Sequence, residues 1–336
     1  MFKWRSRVAV AALGTAVGLC PNAGTAQETE VVFALPAVTL TFSSVFVAED
    51  AGFFKKEGLK ISIRNLVGVA ATNAVIAGSA EFTMGTGPIF LRAAAQGQRM
   101  LALANLIDRP LVELVLRKDV AEAVKFIDKM SLADRGKVLK GKTIGIQGVG
   151  SIIHAWTRLV ANRAGLDVEK DFRIAPMNPP AMLPALESKQ LDGYATSLPF
   201  TTQAVLKGSA IMLASGFGDA PDLLPFAYGL VYTRPQTCTE KRDLCARMAR
   251  AMAGAAAFIH NKPDAALELL KKRFARMDPQ LLAAAWQTVS KAHAKNIKVT
   301  VSGLENSQKV SLEAKLLQQK DALKSFDGLY TDEFVR

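Results

Sequence analysis

Short apolar runs alternate with helix-patterned segments along the first two thirds of this chain, and glycines fall at the joints. This alternation constrains the fold more than any other feature, because a strand apolar on both faces needs helices to cover it and parallel neighbours to pair with. "EVVFALPAV" reads as a buried strand. The segment from Ser44 to Phe54 is helix-patterned and gives out at Gly58, and "KISIRNLV" follows as a strand with Ile61 and Ile63 on one face. A helix around Thr72 to Ala77 ends at Gly78, and "AEFTMGTGP" is a short strand running into a glycine turn. Pro88 then sits just inside the next helix, which ends at Gly97, and "MLALANLI" is a strand.

A second set of such units follows a charged, helical stretch from Asp119 to Lys140. "KTIGIQG", "FRIAPM" and "LDGYATS" read as strands, with helices "SIIHAWTRLVANRAG" and "PPAMLPALESKQ" between them. The apolar runs "PLVELVLRKD" and "FAYGLVYTRP" flank this set and mark where the chain passes between two domains. Beyond Arg234 the pattern is strongly helical. The expected architecture is α/β with two lobes, each a mostly parallel sheet covered by helices, joined by two crossovers. Lobe 1 is expected over 27–116 and 228–336, lobe 2 over 117–227, with a ligand-sized cleft between them.

The 336 residues are ample for two cores, and the composition excludes several classes. "MFKWRSR", an uncharged run from Val8, and Gly24-Thr25-Ala26 form the pattern of a secretory leader over 1–26, cut before Gln27. Gly14, Gly18, Pro21 and Asn22 make the run a poor membrane span, and Leu19 ahead of Cys20 does not suit lipid attachment. Removing the leader takes Lys3, Arg5 and Arg7 away and leaves 39 Lys+Arg against 30 Asp+Glu. Cations and acids are interleaved without long basic blocks, which argues against a nucleic-acid partner.

Cys238 and Cys245 are then the remaining cysteines, and an even pair in an exported chain suggests one disulfide, two free thiols being the alternative. Seven residues along one helix separate Cα atoms by roughly 10 Å, too far for a bridge, so Cys238 is expected in a non-helical lead-in after Pro235.

Two motifs have the letters of familiar chemistry without the context. "GKVLKGKT" at Gly136 to Thr143 matches a phosphate-binding loop, but it precedes a strand instead of opening a helix, so nucleotide hydrolysis is not expected. His154, His260 and His293 are scattered with no metal spacing, so neither a metal nor a cofactor is expected. Ser151 and His154 could touch at a helix start, but no orienting acid accompanies them, and packing outweighs catalysis. Gly145, Gly148 and Gly150 occupy a better context, at the end of a strand and just before a helix. That is the setting of an anion site on helix amides, or of a plain turn with Ser151 as the cap. "MGTGP" at Met84 to Pro88 is a parallel feature in the first lobe.

The segments "SSVFVAEDAGFFKKEGLKISI", "AVIAGSAEFTMGTGP", "AAAQGQRMLALAN", "LKGKTIGIQGVGSIIHAWTRLVANRAGLDVEKDFRI" and "ALESKQLDGYATSLP" resemble, in order and spacing, the nitrate/sulfonate/taurine class of ABC-importer substrate-binding proteins. That class also includes binders of a thiamine-pyrimidine precursor. The resemblance covers Val31 to Pro199 well and the helical remainder loosely. It implies a two-lobed periplasmic binding protein, monomeric and not an enzyme, that closes on a small solute and docks on a membrane permease. Its cleft contacts carry over to Thr41, Phe42 and Ser43, to Gly85, Thr86 and Gly87, and to Gly148, Gly150, Ser151 and Ile152. They also carry over to the segment with Ser197 and Phe200, where relatives often place an acid before proline and this chain has Ser197-Leu198-Pro199. The related pyrimidine synthase relies on a cysteine-rich segment that is missing here. Amide and hydroxyl donors with a basic surface favour a small anion or organic acid; a pyrimidine-like heterocycle, a periplasmic enzyme and a sensor partner are the alternatives.

Overall fold

The structure is a computed structural model describing Met1 and residues 28–125 and 129–335; the leader expected over 1–26 otherwise lies outside the described residues. β1 (Thr29–Leu35) leads through a tight turn at Leu40–Phe42 into α1 (Ser43–Asp50) and α2 (Phe53–Lys56). β2 (Leu59–Asn65), α3 (Ala70–Ile76), β3 (Phe82–Gly85), α4 (Gly87–Ala95) and β4 (Leu101–Asn105) follow. The second set comprises β5 (Glu113–Arg117), α5 (Lys118–Ala123), α6 (Leu132–Gly136), β6 (Thr143–Ile146) and α7 (Ile152–Arg163). It continues with β7 (Arg173–Pro176), α8 (Pro179–Glu187), β8 (Gly193–Thr196), α9 (Phe200–Leu206) and β9 (Ala210–Ser215). β10 (Leu230–Thr233) then precedes α10 (Pro235–Glu240), α11 (Arg242–Asn261), α12 (Pro263–Arg273), α13 (Pro279–Val289) and α14 (Val301–Glu313).

Ten strands form two sheets, ordered β2-β1-β3-β10-β4 and β7-β6-β8-β5-β9. The fourth strand of each runs against its neighbours: β10 is antiparallel to β3 and β4, and β5 to β8 and β9. Both are the first strand made after the chain arrives from the other lobe, so the two-lobed α/β class holds with one reversed strand per sheet. β5 belongs to the second sheet, which places the outward passage between β4 and β5, at 106–112, a few residues ahead of the expected boundary at 116/117. The return passage occupies 216–229. The two passages are hydrogen-bonded side by side, Leu106 N–H to Gly229 O at 2.8 Å and Phe226 N–H to Asp108 O at 2.9 Å.

Burial explains the strand sequences. Phe33 and Leu35 on β1, Phe82 and Met84 on β3 and Ile144 and Ile146 on β6 are fully enclosed, each worth roughly 1.5–3 kcal/mol in removed apolar surface. β2 is an edge strand, and its alternation of Leu59, Ile61 and Ile63 with polar residues is the pattern of one covered face. α11 buries Leu244, Cys245, Met248, Met252, Ala255 and Ile259, a helical stripe that packs on α1.

Cys238 and Cys245 are bonded, with Cα atoms 5.5 Å apart. Cys238 is itself helical, in α10, contrary to the expected non-helical lead-in. The chain instead breaks at Lys241 (φ −127°, ψ 55°), and this break folds α10 back onto α11. Two later helices touch both lobes. α13 meets α9 and the Leu40–Phe42 turn, while α14 lies against both α4 and α7. The last carbonyls of α14 receive Arg158 Nε at Ala314 O, 2.6 Å, and Asn162 Nδ2 at Glu313 O, 2.9 Å.

Candidate functional site

The carboxyl ends of β1 and β3 lie side by side, since Phe33 and Phe82 are register partners. Three threonines leave these ends with their hydroxyls unused. Thr39 stands in extended backbone at the start of the Leu40–Phe42 turn without bonding any turn amide. Thr86 has cap geometry for α4 (φ −102°, ψ 148°) but makes no capping bond. A cap side chain needs the N–H of the second or third helical residue; here the second is Pro88, which has none, and Ile89 N–H is bonded to the Thr86 carbonyl at 3.1 Å. The Oγ1 atoms of Thr39, Thr41 and Thr86 are buried with no hydrogen-bond partner. An orphaned buried hydroxyl costs about 1–3 kcal/mol; Thr41 faces the Tyr228 hydroxyl and Thr83 is orphaned within β3, so Thr39 and Thr86, just past the strand ends, are the pair left for a ligand.

In the second lobe the same strand-to-helix turn is self-satisfied. Ser151 caps α7, accepting His154 N–H at 3.2 Å and donating to Gly148 O at 2.6 Å, while Gly150 N–H donates to His154 Nδ1 at 3.0 Å. Gly150 adopts φ +77°, a conformation that glycine takes without strain. Ile152 is buried, and of the four expected contacts here the one hydroxyl, that of Ser151, and the Gly150 N–H are already engaged. Burial, helped by Arg158 and Arg92, pushes the His154 pKa down to about 4 and keeps the ring neutral.

Other expected contacts have structural partners. Ser43 and Ser44 donate to His293 Nε2 at 3.2 and 3.1 Å; His293 Nδ1 donates to Val289 O at 2.9 Å, which fixes the tautomer because a carbonyl only accepts. Phe42 is core. Gly87 N–H donates to Ala227 O at 2.7 Å. A Cβ on Gly85 would strike the Tyr232 hydroxyl and one on Gly87 the Ser307 side chain, so both glycines serve close packing. Ser197 is buried beside the hydroxyl of Tyr228, which also faces Thr41 and whose pKa is raised by burial.

Between the lobes lies a cavity of about 340 Å³. Thr39, Asn65 and Val67 line it from the first lobe; Gln147, Asn178 and Phe200 line it from the second, with Pro36, Pro179 and Pro180 completing the walls. Gln147 Oε1 accepts from Thr196 at 2.9 Å, leaving its amide hydrogens to donate. Asn178 repeats the device seen at Thr86: it stands at the cap position of α8 and makes no capping bond, because Pro179 and Pro180 follow. A larger hollow of about 790 Å³ adjoins this cavity, sharing Val38, Pro180 and Phe200 with it and reaching residues 273–278, and another of about 530 Å³ lies between α11 and Ala294–Lys298; neither holds an orphaned hydroxyl.

Thr39, Asn65, Gln147 and Asn178 escaped the sequence reading, although a cap residue followed within two positions by proline is a visible signal at Thr86 and Asn178. Also unforeseen is Glu113, the first residue of β5 and the register partner of Thr196. Its carboxylate accepts from Thr201 Oγ1, and burial raises its pKa. A carboxylate thus lies near the Ser197-Leu198-Pro199 segment, on another strand, but it does not line the cavity. Among the described residues no group of His, Cys, Asp and Glu could hold a metal ion, and no helix is long and apolar enough to cross a membrane.

The two sheets with a cavity between them make the two-lobed α/β fold of the periplasmic binding proteins. The family model described as "NMT1/THI5 like" matches residues 40–266, and the chain belongs to that family. No curated protein matches it. Among solved structures, a protein from Bordetella bronchiseptica RB50 is similar with a TM-score of 0.79 and 21% identity, over 92% of this chain and 96% of that one. The alkanesulfonate-binding protein SsuA from Xanthomonas axonopodis pv. citri, bound to MOPS, is similar at 0.69 and 17%, over 88% and 96%. The periplasmic nitrate-binding protein NrtA from Synechocystis PCC 6803 is similar at 0.69 and 12%, over 92% and 87%.

Proposed function

We propose that this chain is the exported solute receptor of an ABC importer, a monomer that shuts on a small organic acid or inorganic anion in the interlobe cavity and hands it to a membrane permease. The observation that carries this reading is the buried, partnerless hydroxyl of Thr39, which lines the cavity, together with that of Thr86 on the adjoining strand end. No carboxylate lines the cavity, and its hydroxyl and carboxamide groups can donate to oxyanion oxygens. The leader pattern at 1–26 and the SsuA and NrtA likenesses support a periplasmic solute carrier. His293 has both ring nitrogens hydrogen-bonded, His154 has Nδ1 tied to the Gly150 amide, neither lines the cavity, and binding without turnover fits the site.

A neutral, planar heterocycle is the second reading. Phe200 offers a ring face, and the carboxamides of Asn65, Gln147 and Asn178 offer paired donors and acceptors. Thermal-shift screening followed by calorimetry separates the two. A bound solute at a hundred times its Kd stabilises by about 2.7 kcal/mol, a shift of several degrees. Alkanesulfonates, nitrate and short carboxylates are expected to give that shift. A shift with aminopyrimidines alone would transfer the assignment to the second reading, and chemical conversion of any of these compounds would refute a pure receptor.

A further inference from the structure

Arginines in this chain find carboxylates when they are drawn out of water. Arg135 pairs with Asp219, Arg158 with Glu169, Arg163 with Asp222 and Glu313, and Arg273 with Glu49 and Asp50. Two half-buried arginines are exceptions, Arg234 beside Gly78 and, the one that bridges the lobes, Arg92. It lies on α4 and reaches across to the second lobe, where Nη2 donates to the Gly150 carbonyl; Nη1 is 3.5 Å from Ser311 Oγ on α14. Among the described residues no carboxylate comes within ion-pair distance of it, and burial alone lowers its pKa to about 10. The other cationic or titratable groups around it, Arg158 and His154 on α7, add no negative charge, the only acid near them being the Glu169 that Arg158 already holds.

We propose that Arg92 is the charge gate of the cleft: bringing the lobes together strands its guanidinium against a neutral carbonyl, and an anionic group on the solute supplies the missing counter-charge. The inference rests on the anionic reading of the solute and adds the residue that enforces it. Gly150 is three residues along the turn from Gln147, which lines the cavity, so an anion there lies roughly 10 Å from the guanidinium. At that distance inside protein the attraction is worth roughly tenfold in affinity. The hydroxyls and carboxamides then read shape and hydrogen bonding, while Arg92 reads charge. Without an anion, shutting leaves a desolvated cation unpaid, which holds the empty receptor open.

Calorimetry with matched pairs, methanesulfonate against methanesulfonamide and acetate against acetamide, tests the gate in wild type, Arg92→Gln and Arg92→Lys. Arg92→Gln keeps a donor for Gly150 and removes the charge. It is expected to weaken the charged member of each pair roughly tenfold and leave the neutral one unchanged, with Arg92→Lys restoring the preference. X-ray scattering of ligand-free protein is expected to show Arg92→Gln more compact than wild type. Loss of both members of a pair equally would mark a structural role and overturn the gate, as would charged-ligand affinity within about twofold of wild type. If wild type binds neither anion, the anionic reading of the solute fails. The gate is then judged on scattering alone, where an unchanged radius of gyration in Arg92→Gln overturns it.

Discussion

Two hydroxyl residues at the starts of two helices have opposite duties, and substitution tells them apart. Ser151 completes a cap, so Ser151→Ala is expected to cost about 1 kcal/mol of unfolding free energy. Thr86 has cap geometry but no bond to lose. Thr86→Val keeps the side chain's shape and removes an orphan, so urea denaturation should register no loss of stability, while solute affinity falls by about tenfold, one hydrogen bond's worth. The reverse pattern would move the site to the second lobe's turn. The turns themselves were legible in sequence, because glycine between a strand and a helix is a local signal. Which hydroxyl is spent on its own backbone was not: Ser151 and Thr86 look alike until the amides around them are counted. Glu113 and Arg92 were hidden for another reason, since their neighbours come from elements 60 to 220 residues away.

Local patterning carried most of the element order. Strands flanked by glycine stops were readable through β1, β2, β3, β4, β6, β7 and β8. β5 and β9 were not resolved as a pair. The run "PLVELVLRKD" is apolar because both its faces are covered, and a run of that kind reads equally well as a passage between lobes or as a central strand. Only pairing with β8 and β9, a long-range event, decides. The cysteines show a similar limit: the distance argument correctly excluded one straight helix, but the break at Lys241 lies between two helical segments and leaves Cys238 helical. The bridge closes a short loop between α10 and α11, for which chain-entropy reasoning gives about 2–3 kcal/mol. Cys238→Ser with Cys245→Ser should lower the unfolding free energy by that amount and leave solute affinity intact; a change in affinity would tie α10 to the cleft.

For the molecule as a whole, buried titratable groups set the response to acid. The pKa values of His154 and His293 are pushed down to about 4, chiefly by burial, from an ordinary value of 6.5. The unfolded chain therefore binds two protons that the native state refuses as the pH drops from about 6.5 towards 4, and stability falls in that window. Glu113, its pKa raised by burial, has the opposite sign: the native state holds a proton that the unfolded chain releases, which costs stability as the pH rises above the ordinary carboxyl range. Two histidines outweigh one carboxyl, so the melting temperature should decline from pH 7 to pH 5. In Glu113→Gln the decline should steepen. A flat profile in differential scanning fluorimetry would mean that these histidines are not buried and neutral.

A door moves most at the edge away from its hinges. The peptide links between the lobes attach to the strands at one end of each sheet, β4 and β10 in the first, β5 and β9 in the second, whereas β2 and β7 are the outermost strands at the other end. Asn65 terminates β2, and Asn178 stands just beyond β7, so these two cavity-lining residues belong to the lip farthest from the links. On the proposed receptor role, cargo enters and leaves on that side, and a permease that tells a loaded carrier from an empty one would read its largest displacement there.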